Sequence, residues 1–229
     1  MPAPHDPAIG PVPGPLGGPV GGPVGGPVGG PTGSDRRPGR LLILGGARSG
    51  KSAEAERRLA GRPRVTYLAT GGHRPEDPEW QARVAAHQAR RPADWATLET
   101  VEVAAALRAA TDPVLVDSVG LWLAGVLDRA RAWGLPPSHP QPQRAVDAAV
   151  ENLLDAWRQA PVPVVLVSEE VGAGVVPQTQ AGRVFRDALG TLNQRLAAAA
   201  EEVVLVVAGL PLTLKAPTPS SPTDPWSAP

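Results

Sequence analysis

Eight residues, Gly45-Gly46-Ala47-Arg48-Ser49-Gly50-Lys51-Ser52, limit what this chain can fold into more than any other stretch. They meet the pattern G-x-x-x-x-G-K-[ST] at every fixed position, between the apolar run Leu41-Leu42-Ile43-Leu44 and the helix-forming segment Ala53 to Ala60. Strand, glycine-rich turn and helix form the setting this phosphate-binding loop requires. Backbone N–H groups of Gly45 through Ser52 can close around phosphate oxygens, Lys51 reaches the β and γ phosphates, and the Ser52 hydroxyl can bind Mg²⁺. The helix that follows turns its positive end to the anion. The loop implies a nucleotide but leaves the reaction open.

The rest of the chain agrees with that setting. Short Val- and Leu-rich runs at Leu41 to Leu44, Val65 to Ala69, Val114 to Val116, Val162 to Val167 and Val203 to Ala208 suit strands covered on both faces. Amphipathic stretches between them predict helices at Ser52 to Ala60, Pro78 to Ala89, Val103 to Ala110, Leu121 to Trp133, Arg144 to Ala160 and Ala181 to Glu201. Alternation of the two implies right-handed crossovers. The expected fold is α/β, a three-layer P-loop NTPase-like (RecA-like) arrangement with a mainly parallel sheet and helices on both faces. Ligands of such sheets bind at the carboxyl ends of the strands.

With 229 residues the chain has room for one sizeable domain, placed here at 40–215. Residues 1–39 are dominated by Gly and Pro, with Gly-Gly-Pro-Val repeating from Gly17, and bury too little apolar surface to offset their ordering entropy. They and the Pro- and Ser-rich 216–229 are expected to be disordered tails. Net charge is zero and acids are mixed among the bases, so no footprint for nucleic acid stands out and a small-molecule substrate is expected. The chain has no cysteine and four scattered histidines, which argues against disulfides and a zinc site. No run approaches the ~18 apolar residues of a membrane span and no secretory signal is seen, so a soluble cytoplasmic protein is expected.

Chemistry should then follow the strands. Asp117 ends the run Val114-Leu115-Val116, where a carboxylate can hold Mg²⁺; the same residue would also serve as a helix N-cap. Glu169-Glu170 follow Val164 to Val167 in the same geometric position. They suit a second metal-side carboxylate, or a solvated Glu169 beside a Glu170 that bonds the loop Val171 to Pro177. Helical spacing puts Arg83, His87 and Arg90 on one face. A neutral imidazole between guanidinium groups can attack a phosphate, and an ordinary histidine packed with Trp80 and Val84 fits the spacing as well. His73 follows the second predicted strand; His5 and His139 lie in Pro-rich segments and receive no role. The guanine-reading Asn-Lys-x-Asp motif and the kinase His-Arg-Asp loop are absent, excluding a Ras-like GTPase and a protein kinase.

Several pieces together resemble one family, the bifunctional adenosylcobinamide kinase / adenosylcobinamide-phosphate guanylyltransferase of cobalamin biosynthesis. Besides the loop they are Tyr67-Leu68-Ala69-Thr70, Arg83 through Trp95, Val116-Asp117-Ser118, Glu170 through Pro177, Phe185-Arg186-Asp187, Leu192 through Ala197, and Val206 through Pro211. In order and spacing they cover roughly residues 40 to 215. The resemblance implies ATP or GTP as phosphate donor to adenosylcobinamide, then GTP as GMP donor to adenosylcobinamide phosphate, with Mg²⁺ as cofactor. It also implies that His87 carries GMP covalently, with Lys51 catalytic beside it. Nucleotide contacts are implied at Gly45, Gly46, Ala47, Arg48, Ser49, Gly50, Lys51, Ser52, Ala69, Thr70, Gly71, Arg90, Arg91, Glu99 and Asp117, and metal contacts at Ser52 and Asp117. A homo-oligomer, a trimer in form, is implied too. Many members of that family carry Asn where Glu169 stands, and Gly71-Gly72-His73 replaces more usual small polar residues. Two other readings fit the loop: a different small-molecule kinase with a structural histidine, or a non-catalytic nucleotide-binding module whose Gly-Pro tail recruits a partner.

Overall fold

Runs of β-branched and leucine side chains become central strands when both faces of a sheet are covered, because every residue then meets apolar partners. A computed structural model describes residues 39–72, 76–134 and 140–216; within the second helix the side chains of Glu79, Trp80, Arg83, Ala86, His87 and Arg90 lie outside the described residues. The strands are β1 (Arg40–Gly45), β2 (Thr66–Ala69), β3 (Ala96–Glu99), β4 (Val114–Asp117), β5 (Val164–Glu169), β6 (Glu202–Val207) and β7 (Leu210–Lys215). The helices are α1 (Lys51–Arg58), α2 (Pro78–Arg90), α3 (Val103–Ala109), α4 (Val119–Arg129), α5 (Pro140–Arg158) and α6 (Gln180–Ala199). Among the described residues the sheet order is β3-β2-β4-β5-β1-β6-β7, parallel throughout except for the β6 to β7 hairpin. The strand that carries the loop is therefore central, and β5 separates it from the strand that ends in Asp117.

Alternate residues of the central strands feed two separate cores. Leu42, Leu44, Val164 and Leu166 pack with α3, α4, α5 and α6 on one face; Leu41, Ile43, Val165 and Val167 pack with Ala55 of α1, with its C-cap Leu59 and with Trp95 on the other. This is the expected three-layer α/β fold. Each fully buried leucine adds about 1.5–3 kcal/mol of hydrophobic stabilisation, so the middle of the sheet is its most rigidly held part.

The structure corrects the sequence reading at several boundaries. Strands β3 and β7 were not expected, and both are exposed along their whole length. The fifth expected strand does not continue to Ala208: Ala208 (φ 51) and Gly209 (φ 81) both turn left-handed, as a two-residue hairpin loop requires, and send the chain back as β7. The fourth helix starts at Val119, not Leu121, and ends at Arg129, not Trp133. Its N-cap is Ser118, whose Oγ accepts the Leu121 N–H at 3.3 Å; Asp117 is the last residue of β4 and is not the cap. The expected tails fall, apart from Gly39 and Ala216, outside the described residues, as do His5, His73 and His139.

Candidate nucleotide-binding site

Glycine is needed in the loop for two different reasons. Gly50 has φ 94, and a Cβ there would lie 3.3 Å from the Gly209 Cα, since the β6–β7 turn closes on the loop through the Gly209 N–H bond to Ser49 O at 2.8 Å. Gly45 has no room for a side chain, because a Cβ would fall on Ser49 Oγ. That hydroxyl, nearly buried, accepts the Lys51 N–H at 3.4 Å. Gly46, Ala47 and Arg48 form the outer turn, with Ala47 and Arg48 exposed and Arg48 left-handed at φ 56. Lys51 and Ser52 open α1, so both lie at its electropositive end.

The tip of β5 brings a carboxylate to the loop lysine. Lys51 Nζ donates to Gly46 O at 3.3 Å and lies 3.9 Å from Glu169 Oε1 at the tip of β5. Glu169 is set by backbone pairing with Gly45 and by Asn193 of α6, whose amide donates to the Glu169 carbonyl at 3.0 Å while its own oxygen accepts Ser168 Oγ at 2.6 Å. Its other oxygen, Oε2, is buried with no hydrogen-bond partner, against Gly120 in the first turn of α4, where a Cβ would fall on it. Glu169 therefore faces the loop lysine and does not point out to solvent. Glu170 turns away: its Oε1 accepts the Gly172 N–H at 2.6 Å and fastens the following loop.

The next strands complete the row. Asp117, Ala69 and Glu99 are register partners at the tips of β4, β2 and β3. Asp117 Oδ2 accepts the Tyr67 hydroxyl at 2.8 Å. Burial, then the charge of Asp117, pushes the Tyr67 phenol well above its ordinary value, against the opposing pull of Arg91. Thr70 is buried and its hydroxyl is committed to Ser118, donating to the carbonyl at 2.6 Å and accepting the N–H at 3.0 Å. What Thr70 and Gly71 offer a ligand is thus their backbone. Arg91 lies over the Tyr67 ring, its guanidinium carbon 3.2 Å from the centroid, and Nη1 donates to Thr97 Oγ1 at 3.1 Å. Its Nε is buried without a hydrogen-bond partner. Glu99 is exposed at the edge.

Helix α2 runs through Arg83, His87 and Arg90 as their spacing predicts, but these three side chains lie outside the described residues. The structure thus brings together the loop, Ala69, Asp117 and Glu99 along one edge, with Arg91 joined to them through Tyr67. Sequence reasoning gave no role to Tyr67, Ser118 or Asn193; the one available signal was their position, within two residues of a strand tip or opposite one. Ser52 and Asp117 offer a hydroxyl and a carboxylate, hard oxygen donors that fit Mg²⁺. Among the described residues no group of three or more His, Cys, Asp or Glu side chains is placed to hold a metal alone.

Comparison with known proteins gives the family and the fold. A family model described as cobinamide kinase / cobinamide phosphate guanyltransferase matches residues 41–214. The bifunctional adenosylcobalamin biosynthesis protein CobU of Salmonella typhimurium is 38% identical over 181 residues, covering 76% of this chain and 99% of that protein. CobP of Pseudomonas aeruginosa, which carries the same description, is 42% identical over 179 residues, covering 76% and 96%. Among solved structures, a prototypical ATPase from the type III secretion system of pathogenic bacteria superposes with a TM-score of 0.50 at 14% identity, over 77% of this chain and 57% of that one. That likeness shows the fold alone. No described helix is long and apolar enough to cross a membrane.

Proposed function

Because the chain belongs to the cobinamide kinase / cobinamide phosphate guanyltransferase family, we propose that its strand-tip site serves both transfers in turn, the second through a GMP-histidine at His87. The protein is a transferase of cobalamin biosynthesis. It phosphorylates adenosylcobinamide with a nucleoside triphosphate and then guanylylates adenosylcobinamide phosphate with GTP, giving adenosylcobinamide-GDP. The observation that carries the reading is the meeting of Lys51, Glu169 and the phosphate loop at the tip of the central strands, with Asp117 one strand further along.

In the first transfer the aminopropanol oxygen bonds to the γ-phosphorus, the bond to the nucleoside diphosphate breaks, and the hydroxyl proton passes to solvent. Lys51 leaves Glu169 for the phosphate oxygens, and loop N–H groups hold those oxygens in line. In the second, an imidazole nitrogen of His87 bonds to the α-phosphorus of GTP and pyrophosphate departs. A phosphate oxygen of the acceptor then bonds to that phosphorus as the N–P bond breaks, restoring the imidazole. Arg90 and Arg91 neutralise the oxygens around that phosphorus. Ser52 and Asp117 would hold Mg²⁺, which when bound screens the phosphate charges.

Incubation with α-labelled GTP tests the histidine. An acid-labile, base-stable adduct should form on the wild-type chain and vanish in His87→Ala, which should keep phosphorylation and lose guanylylation. Guanylylation by His87→Ala at the wild-type rate, or a wild-type chain that stays unlabelled through turnover, would overturn the reading.

We also infer that copies of the chain associate, in the trimer the resemblance implies. Support comes from Val207, Leu210, Leu212 and Leu214, each more than half exposed; the three leucines alternate along β7 and so share one face of the edge hairpin. Light scattering during gel filtration measures the mass; a monomer at micromolar concentration rejects the inference.

A further inference from the structure

A phenol in the middle of a protein needs a reason that a phenyl ring does not, since a buried hydroxyl costs stability unless it is bonded. Tyr67 is 3% exposed and packs in the core beneath α1. In register it stands opposite Leu115, yet its hydroxyl reaches diagonally up the neighbouring strand to Asp117 Oδ2 at 2.8 Å. Its ring carries a second group: the Arg91 guanidinium lies on the face at 3.2 Å, where the ring's negative face attracts the cation. One side chain thus touches the strand-tip carboxylate of β4 and the arginine that directly follows α2, the helix in which His87 lies. Among the described residues Thr97 also accepts a hydrogen bond from Arg91 Nη1, and Nε is buried without a partner.

We propose that Tyr67 is a positioning residue that orients Asp117 through its hydroxyl and Arg91 through its ring, locking the metal-side and α-phosphate-side groups into one unit. The proposal rests on the two-transfer reading above for the meaning of those two sides. The geometry predicts two separable effects. Loss of the hydroxyl removes one of the contacts that orient the Asp117 carboxylate, which weakens what Mg²⁺ adds to nucleotide binding. Loss of the ring removes the platform under Arg91, which weakens the nucleotide whether or not Mg²⁺ is present.

The experiment titrates the full chain with a non-hydrolysable GTP analogue, with and without Mg²⁺, and measures histidine labelling by α-labelled GTP alongside. Tyr67→Phe should cut the Mg²⁺-dependent gain in affinity about tenfold, the scale of one hydrogen bond to a charged group, and leave the Mg²⁺-free Kd unchanged. In an Asp117→Asn background the same substitution should have no further effect, because the partner through which it acts is gone. Tyr67→Leu should in addition weaken Mg²⁺-free binding about tenfold. Should that variant fail to fold, Arg91→Lys carries the same arm, since an ammonium keeps the charge but cannot lie flat on a ring; it should give the Mg²⁺-free loss alone.

Tyr67→Phe binding like wild type under both conditions, or losing as much in the Asp117→Asn background as alone, overturns the proposal. A wild-type chain that shows the Mg²⁺ gain but never labels would instead defeat the two-transfer reading and leave the link between Tyr67 and Asp117 standing.

Discussion

The middle of the sheet and its far edge are built from similar residues and have opposite fates. In β1 and β5 nearly every side chain is buried, alternate residues serve the two cores, and the tips carry Gly45 and Glu169 into the site. In β7 leucines alternate just as regularly, yet Leu210, Leu212 and Leu214 stand 72%, 57% and 54% exposed. The contrast teaches that apolar content does not make a strand central; a covering layer of helix does. It also explains where function lies, because a group held to within tenths of an ångström can be placed only at the end of a strand that does not move.

The sharpest way to break this contrast is at the central tip. Lys51→Ala should reduce both transfers on the order of a thousandfold with the fold intact, measured as initial rates alongside circular dichroism. Retention of either rate above a tenth would place the phosphate-binding charge elsewhere.

Next in size is the core beneath it. Measured on dissociated chains, Leu42→Ala, at a fully buried position of β1, should cost about 2–5 kcal/mol in denaturant unfolding, whereas Leu212→Ala at the edge should stay within about 0.5 kcal/mol. Equal costs on dissociated chains would show that the edge is covered within one copy and would break the contrast.

A smaller effect separates the tip from its support. Gly120→Ala places a methyl on Glu169 Oε2, so the carboxylate should swing off its seat at a cost of about 1–3 kcal/mol. Nucleotide affinity should change with it, because Lys51 loses its partner; unchanged stability and affinity would show that α4 yields instead.

The smallest lies on α1, the helix that the loop feeds. Burial would raise the Glu54 carboxyl, but hydrogen bonds from Arg57 and Arg58 outweigh it and hold the group below its ordinary 4.5. A lowered folded value gives stability that is complete above the unfolded value and is lost as pH falls through the folded one. Wild type should therefore melt a few degrees above Glu54→Gln at neutral pH, with the gap closing as the solution is acidified. A gap that widened towards acid would reverse the sign and exclude this ion pair.

Legibility in the sequence followed burial. Val114 to Val116 and Val162 to Val167 were readable because strands covered on both faces must be apolar at successive positions; in β4 the first polar residue, Asp117, marks the tip, whereas β5 runs on through the buried Ser168 to Glu169. Ala96–Glu99 is short, exposed and mixed in composition, so no pattern separated it from a loop. Leu210–Lys215 does alternate, but it follows a turn whose left-handed Ala208 no residue preference announces. At the site, Asp117 was visible as a strand-end carboxylate while its role as cap was not decided; the Ser118 hydroxyl took that role because it is the residue next to the helix. The pairing of Lys51 with Glu169 over 3.9 Å joins residues far apart in the chain, and only the β1–β5 register sets them side by side.

The order of residues alone decided the phosphate loop, the layered α/β plan and the family, since these depend on local spacing and on runs of apolar side chains that any fold must bury. Three-dimensional packing alone decided that Glu169 faces the loop lysine, that Tyr67 links Asp117 to Arg91, and that one leucine-bearing strand is left at the open edge. Those are contacts between distant segments, and their geometry exists only once strand register and helix layers have been chosen together.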